Sequence, residues 1–220
     1  MLRITNSRWL AIAATLACLF SVASVALAQS TEPPDTFQVN YFSNANNRGG
    51  FDQEVRVINP GAYAPFFPPQ DLCAMIYVFD DFQELKECCG CRISPDGLLQ
   101  LSVNRDLTAD PFNGIKPING DIKIVSALEN DNFLGVPCDP TGGGKFPNGT
   151  YALNIVPVPD LRAWSTHFQT DRKTTEDEFQ DATLSSAELN SLQEECYGVV
   201  TVGSGHGICK SIPTSSETCN

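Results

Sequence analysis

The chain has 220 residues, with 26 acidic side chains against 14 basic ones and a formal net charge of −12. A surface this acidic repels nucleic acids and anionic membranes, so neither is a predicted partner. The length is typical of one or two domains.

Residues 1–28 have the composition of a signal peptide. Two arginines precede the uncharged stretch Trp9 to Leu27, and Ala26-Leu27-Ala28 fits a signal peptidase site. An uncleaved membrane anchor is the alternative, because the apolar stretch is nearly long enough to span a bilayer. Its Ala- and Ser-rich composition favours cleavage before Gln29, and no later run could span. Cleavage leaves 12 basic against 26 acidic residues, a net charge of −14. The predicted location is therefore secreted or cell-surface.

Alternation of apolar residues predicts the first strands. Residues 29–35 form a polar, proline-containing leader that is predicted to be disordered. A strand is predicted over Thr36–Phe42, with Phe37, Val39 and Tyr41 on one face, and a second over Glu54–Ile58. The turn sequence Asn-Pro-Gly follows the second strand.

The stretch Asp71–Cys91 predicts a β-hairpin. Its first arm, Leu72 to Phe79, is apolar without interruption. Such a strand is typical of a central position that is covered on both faces. The polar tip Asp80–Gln83 provides the turn, and the second arm ends in a cysteine cluster.

Eight cysteines follow the predicted signal, and an even number in an exported chain predicts a disulfide framework with 105 possible pairings. The alternative is metal or cluster binding by thiolates, but no CxxC pair has zinc-finger spacing and the chain has only two histidines. We therefore predict no metal, no cofactor and eight bonded cysteines: Cys73, Cys88, Cys89, Cys91, Cys138, Cys196, Cys209 and Cys219.

The hairpin geometry suggests some pairings. Adjacent strand residues point to opposite faces, so Cys88 and Cys89 are predicted to bond different partners. With the turn centred at its tip, Cys73 lies opposite Gly90. A loop one residue longer or shorter would place Cys73 opposite Cys89 or Cys91, and one of these is its predicted partner.

Further strands are predicted after the hairpin, separated by turns and long loops. Ser94–Gly97 has the proline and glycine positions of a type I turn. Two long loops, Asn104–Gly120 and Glu129–Gly149, separate the later strands. The predicted strands are Leu98–Val103, Asp121–Ala127 and Leu161–Gln169.

Two capping-box patterns occur near the C-terminus, at Thr175–Glu178 and Ser185–Glu188. The second is well formed, because Leu184 can pack on Leu189 across the N-cap. Leu189, Leu192 and Cys196 would share one helical face. This pattern predicts a helix from Ser186 to about Glu195.

Many short strands at turn-punctuated spacing predict a mainly β fold, an immunoglobulin-like β-sandwich that is stabilised by disulfides and carries a short C-terminal helix. The predicted sandwich domain spans residues 36–170. Residues 171–220 are predicted to form a helical, disulfide-tied C-terminal extension packed on the same domain.

Catalytic motifs are weak in this chain. Ser204 with His206 or His167 could belong to a Ser-His-Asp triad, but Gly203–Gly207 is not a nucleophile elbow. The sequence favours a flexible glycine loop there and a half-buried structural role for His167. A cysteine nucleophile would need a free thiol, and eight bonded cysteines leave none.

Acidic loops offer a calcium hypothesis, although none has EF-hand spacing. Paired carboxylates also serve glycoside hydrolysis, but 26 acidic residues make any pair arbitrary. The candidate calcium pairs are Asp80 with Asp81, Asp106 with Asp110, and Glu129 with Asp131.

Asn148 begins a glycosylation sequon. The aromatics Phe66 and Phe67 either pack under a loop or form a contact patch.

Six stretches resemble a family of uncharacterised exported bacterial proteins that share a cysteine-rich CCxC β-hairpin. They are LCAMIYVFD (72–80), QELKECCGC (83–91), LSVNRDLT (101–108), IKIVSA (122–127), LRAWSTH (161–167) and GSGHGIC (203–209). The resemblance covers nearly all of the mature chain. It implies export, one domain and bacterial origin, and it carries over no activity and no site residue.

The sequence favours a secreted structural or binding module without catalytic activity, which meets an unknown protein or cell-surface ligand through its loops. The alternative is an extracellular, glycosidase-like hydrolase that uses loop carboxylates. An assembly subunit is a third class, which an unpaired strand edge or a donated strand near residues 37–42 would indicate.

Overall fold

A computed structural model describes residues 33–47, 52–64, 68–128, 138–143, 155–168, 174–209 and 218–219. The predicted signal peptide lies outside these residues, as do Phe66, Phe67, Asn148 and the pair Glu129 and Asp131. Of the predicted leader, residues 33–35 are described, and the backbone N–H of Asp35 donates to the Asp181 carboxylate at 2.8 Å.

The fold is mainly β, as predicted, and consists of two antiparallel sheets. In the six-stranded sheet the order is β10-β4-β3-β6-β1-β9, and in the four-stranded sheet it is β5-β2-β7-β8. The strands are β1 Phe37–Phe42, β2 Glu54–Ile58, β3 Leu72–Asp80, β4 Leu85–Ile93, β5 Leu98–Ser102, β6 Gly120–Leu128, β7 Arg162–Phe168, β8 Thr174–Glu178, β9 Gln180–Asp181 and β10 Thr218–Cys219.

Strand β3 is buried along its whole length, which confirms the predicted central position. It pairs with β4 on one side and with β6 on the other. Its alternate residues supply two hydrophobic cores. Leu72, Ala74, Ile76 and Val78 belong to a core that also contains Val55, Leu99 and Ala163 of the other sheet. Cys73, Met75, Tyr77 and Phe79 belong to a second core with residues 184–199.

All eight predicted cysteines form disulfides. Cys88 and Cys89 bond different partners, as their opposite faces require. The four bridges are Cys73–Cys138, Cys88–Cys196, Cys89–Cys209 and Cys91–Cys219. Disulfides of this number indicate an oxidising location outside the cytoplasm.

The predicted partner of Cys73 was wrong. Phe79 pairs with Leu85, which centres the tip on Phe82 and by itself would place Cys73 opposite Cys91. A bulge between Val78 and Phe79 shifts the register by one further residue, so Cys73 lies opposite Arg92 rather than Gly90. Cys89 and Cys91 point to the opposite face, where they join the first core. Cys73 therefore bonds Cys138. The backbone of Cys138 crosses the sheet at Gly90, on the face to which Cys73 points.

Two local predictions need correction after β4. The Ser94–Gly97 turn is present, because Gly97 N–H donates to the Ser94 carbonyl at 2.8 Å, but Asp96 has φ +61°. A positive φ at the third position belongs to a type II turn rather than type I. The strand predicted over Leu98–Val103 ends at Ser102 instead, and Val103–Leu107 form a single π-helical turn.

The first capping-box pattern does not begin a helix, because Thr174–Glu178 is the edge strand β8 of the four-stranded sheet. Phe179 is buried in the first core, and β9 then continues in the six-stranded sheet. The C-terminal segment predicted as a helical extension therefore also adds strands to both sheets. In this segment, strand pairing of β8 with β7 and of β9 with β1 determines the structure, rather than the local capping pattern.

The second capping box forms as predicted and begins helix α1, Ser186–Val202. Ser185 is the N-cap, and its hydroxyl accepts from the backbone N–H of Glu188 at 3.0 Å. The helix runs two turns further than predicted, because Val199 is buried and continues the face of Leu192 and Cys196. Among the described residues, no helix is both long and apolar enough to cross a bilayer.

Replacing Ser185 by alanine is expected to lower the free energy of unfolding by about 0.5–2 kcal/mol, because a helix N–H loses its acceptor. Chemical denaturation of the oxidised protein measures the change. Ser185→Asp is the matched control, since its carboxylate can accept the same hydrogen bond. Equal stability of the alanine variant and the wild type would show that the cap contributes nothing.

Candidate functional site

Helix α1 lies against the six-stranded sheet, and three clefts adjoin along this side of the protein. The first, of about 530 Å³, lies beside Leu85, Phe112 and Val199. The second, of about 390 Å³, shares Gln83 and Glu195 with the first. The third, of about 600 Å³, lies between β6, β1 and β8. We call the three together the acidic groove.

The second and third clefts are also contiguous, because Asp121 and Lys123 line both. Six carboxylates line the groove, against one lysine among its described residues. Lysines bind two of these carboxylates, Glu84 and Glu188. Within the described residues, the other four have no lysine or arginine within 4 Å; they are Asp121, Asp177, Glu178 and Glu195.

Lys123 lies at the centre of the groove. Its ammonium nitrogen is 2.8 Å from Oε1 of Glu188 in the first turn of α1. The same nitrogen lies 4.7 Å from the centroid of the Phe79 ring. A carboxylate and an aromatic face together form a favourable environment for an ammonium group. The groove thus already holds one cation, which comes from the chain itself.

Asp121 stands between two aromatic residues in a row across three strands. It pairs with Tyr41 of β1 on one side and with Phe79 of β3 on the other. Side chains of directly paired residues lie on the same face as neighbours. Burial raises the pKa of Asp121, and the nearby carboxylates of Glu188 and Asp80 raise it further, while Lys123 partly opposes them. A carboxylate held in this way, in a cleft, is typical of a functional site.

Asp121→Asn is expected to raise the melting temperature at pH 7. A carboxyl group whose pKa is raised by folding contributes stability below its unfolded value, near 3.8, and loses it as the pH rises through the folded pKa. At pH 7 the ionised group therefore opposes folding, and the neutral amide does not.

Thermal melts at pH 7 and pH 3 test this expectation. The gain of the asparagine variant should be larger at pH 7 than at pH 3. Asp81→Asn is the matched control, because Asp81 is exposed at the hairpin tip and its replacement should change little. A lower melting temperature for Asp121→Asn at pH 7 would contradict the electrostatic account.

Tyr41 forms an aromatic platform at the far end of the groove. The side chain is 52 % exposed, although Tyr41 belongs to β1, whose first residue, Phe37, is buried. Its ring stacks on the imidazole of His167, with centroids 4.4 Å apart and an angle of 18° between planes. One ring face is thus supported by His167, which holds the platform in a fixed orientation.

The His167 side chain is 2 % exposed. It is therefore buried, whereas the sequence predicted a half-buried position. Neither ring nitrogen has a hydrogen-bond partner among the described residues, and Nε2 lies 3.9 Å from a carboxylate oxygen of Asp177, which lines the groove. Burial lowers the pKa of His167, and Asp177 opposes this only in part. The imidazole therefore faces Asp177 as a neutral group at pH 7.

Within the described ranges, no strand pairs with the outer edge of β1 beside this platform. Strand β9 pairs with Gln38 and Val39 only. The backbone N–H of Tyr41 donates instead to the side chain of Asn40, at 2.8 Å. This bond occupies a donor that an added strand would need, so the open edge is poorly suited to strand addition.

The predicted triad residues lie in two places: Ser204 and His206 belong to the glycine loop, whereas His167 stacks on Tyr41 in the groove. Nδ1 of His206 is 2.7 Å from Asp110. The glycine loop is tied down rather than flexible, because Gly207 donates to the Asp110 carbonyl at 2.7 Å and accepts from Cys88 N–H at 2.9 Å. His167 belongs to the other sheet. The His206–Asp110 pair joins two loops beside β4.

Two of the described calcium candidates, Asp80 and Asp106, bond within the fold, and Asp81 is exposed at the hairpin tip. Asp80 accepts from the backbone N–H groups of Phe82 and Glu84, and it forms a buried ion pair with Lys86 at 2.8 Å. Burial raises the pKa of Asp80, but these hydrogen bonds outweigh it and lower the pKa overall. Asp106 accepts from Ser102 N–H at 2.6 Å. Among the described residues, no group of three or more His, Cys, Asp or Glu side chains could hold a metal ion.

The residues of the groove were not singled out from the sequence. Tyr41 was assigned only to a strand face, and Asp121 and Lys123 alternate with the buried Ile122 and Ile124. Charged residues at alternate positions of a strand usually indicate a solvated face. The one sequence signal that could have marked Asp121 and Lys123 is that two opposite charges interrupt a strand whose other residues are mostly apolar.

No known protein helps to interpret this site. No family model matches the chain, and no curated protein or solved structure matches it. The resemblance to exported bacterial proteins therefore stays a prediction, and the function has to be inferred from the groove itself.

Proposed function

We propose that the protein is an exported binding module without catalytic activity, which works at the cell surface or in the extracellular space and holds a partner in the acidic groove. The continuity of the three clefts carries this proposal. A groove with a fixed aromatic platform and several carboxylates has the composition of a recognition surface. A row of three adjoining clefts suits an extended segment of a larger partner better than a small molecule, which binds in a single deeper pocket.

Export and the fold type belong to the same proposal. The predicted signal peptide would deliver the chain to an oxidising compartment, where its four disulfides persist. The first hydrophobic core draws side chains from both sheets, which supports an immunoglobulin-like sandwich. The bacterial origin implied by the resemblance fits this picture.

A blocking variant tests whether the groove binds a partner. Ser191 is exposed on α1 and lines the central cleft, so Ser191→Trp places a large ring there. Asn190→Trp is the matched control on the same helix. The probes are immobilised neutral and acidic glycans together with cationic, neutral and anionic peptides. We expect at least one class to bind the wild type and the control but not Ser191→Trp. Binding that is unaffected by the block would contradict the proposal.

An extracellular hydrolase is the second candidate, and Asp121 is the observation that favours it. A carboxyl group of raised pKa could act as a general acid, as glycosidases require. Glu188, which lines the central cleft together with Asp121, is held by Lys123 and is poorly placed to act as a free base. Assays with nitrophenyl glycosides distinguish the candidates. Turnover that is lost in Asp121→Asn would establish the hydrolase and overturn the non-catalytic role.

A further inference from the structure

We propose that the Tyr41 end of the acidic groove binds a lysine side chain of a basic peptide segment in the partner. This inference rests on the proposed binding function and names the chemistry of its ligand. The ammonium group would lie on the exposed face of the Tyr41 ring, with Asp121 and Asp177 as its counter-charges. Three observations support this occupant.

The first observation is the internal precedent of Lys123. Its ammonium is satisfied by one carboxylate, Glu188, and one aromatic ring, Phe79. The neighbouring Tyr41 end has the same two components, because Asp121 is the direct cross-strand neighbour of both aromatic residues. Within the described residues, no lysine or arginine pairs with a carboxylate of this cleft, whereas the chain's own lysine serves the Phe79 end.

The second observation is that the Tyr41 ring is already held in one orientation without a ligand. The stack on His167 fixes the ring before any ligand arrives, which reduces the entropy lost on binding. In the part of the chain that the structure describes, neither nitrogen of the buried His167 has a hydrogen-bond partner, and Nε2 faces Asp177 at 3.9 Å. This polar group therefore faces Asp177 in the wall of the cleft.

The third observation is charge complementarity. Asp121, Asp177 and Glu178 line this cleft of about 600 Å³, and Lys123 is its one described cation. The formal charge of the whole chain has the same sign. A basic segment would be attracted over a distance, and attraction of this kind falls as salt is added.

Fluorescence anisotropy tests the inference with a labelled peptide that alternates glycine and lysine. The protein is the exported chain with all four disulfides formed. The same peptide with glutamine in place of lysine is the neutral probe. We expect the lysine peptide to bind and the glutamine peptide to bind at least tenfold more weakly, with a loss of affinity as salt is added.

Variants then locate the ammonium group. Tyr41→Leu, which keeps an apolar cover over His167, is expected to weaken binding about 2- to 30-fold, and Tyr41→Phe to preserve it. Asp177→Asn should weaken binding more than Glu176→Gln. The latter removes the same charge one residue away, at a side chain that pairs with Arg56. Melting temperatures show whether each variant is folded.

Equal binding of the two peptides would overturn the inference, as would equal effects of Asp177→Asn and Glu176→Gln. Its failure is distinct from failure of the proposed function. A glycan or anionic peptide that binds the wild type and not Ser191→Trp would leave the binding module standing and remove the lysine site. Binding of every probe that ignores the block would overturn both.

Discussion

Reduction of the four disulfides is expected to unfold the protein at room temperature. The bridges join residues 65, 108, 120 and 128 positions apart in the chain. Closing a loop of about 100 residues in the unfolded chain contributes roughly 4–5 kcal/mol by the loop-entropy estimate. Nested loops do not add independently, but even two such contributions rival the ~5–15 kcal/mol by which domains are stable.

Intact-mass analysis, thiol labelling and circular dichroism together measure this effect. The oxidised protein should have four disulfides and no reactive thiol, and reductant should abolish its cooperative melt. The double variant Cys88→Ala with Cys196→Ala isolates the bridge between β4 and α1, with an expected loss of about 2–5 kcal/mol. An unchanged melt in reductant would show that the two hydrophobic cores suffice without cross-links.

Gly90→Ala is expected to lower the stability of the protein more than any other addition of a single methyl group to the hairpin. A Cβ at this position would overlap the carbonyl oxygen of Cys138 and lie 2.6 Å from its carbonyl carbon. The obstacle is backbone, and Cys138 is held to Cys73 by a disulfide, so it cannot move away freely. Ordinary overpacking costs about 1–3 kcal/mol, and we expect this variant to exceed that range.

Gly198→Ala is the matched control, because a Cβ at that helix position meets no atom within 4 Å. Alanine is favoured over glycine inside a helix by roughly 0.5–1 kcal/mol, so the control should gain stability. Denaturant titration of the oxidised proteins gives both values. If Gly90→Ala were as stable as the wild type, the crossing of the Cys138 backbone over β4 would be wrong.

The sequence predicted those features that depend on local patterns. The apolar run of β3, the alternation in β2 and the Ser185 cap are each set by residues within a few positions, and the structure confirms them. Local patterns failed where pairing with distant strands dominated. Thr175–Glu178 has the pattern of a helix start but forms an edge strand, because β7 offers it a ladder of hydrogen bonds.

The pairing of Cys73 shows why register is harder to predict. The tip is centred on Phe82, and a bulge between Val78 and Phe79 then shifts the opposite arm by one further residue. No residue in the hairpin marks this bulge in advance. The groove was beyond reach for a related reason. Tyr41, Asp121 and Asp177 come from strands far apart in sequence, and only the sheet pairing brings them to one cleft.

The functional proposal depends on where a ligand binds, and an NMR titration measures this most directly. Isotope-labelled, fully oxidised protein would be titrated with the alternating glycine–lysine peptide. We expect shift changes to concentrate at Tyr41, Asp121 and Asp177 and along α1 near Ser191. Changes confined to another surface, such as the π-helical turn Val103–Leu107, would contradict the assignment of the acidic groove as the binding site.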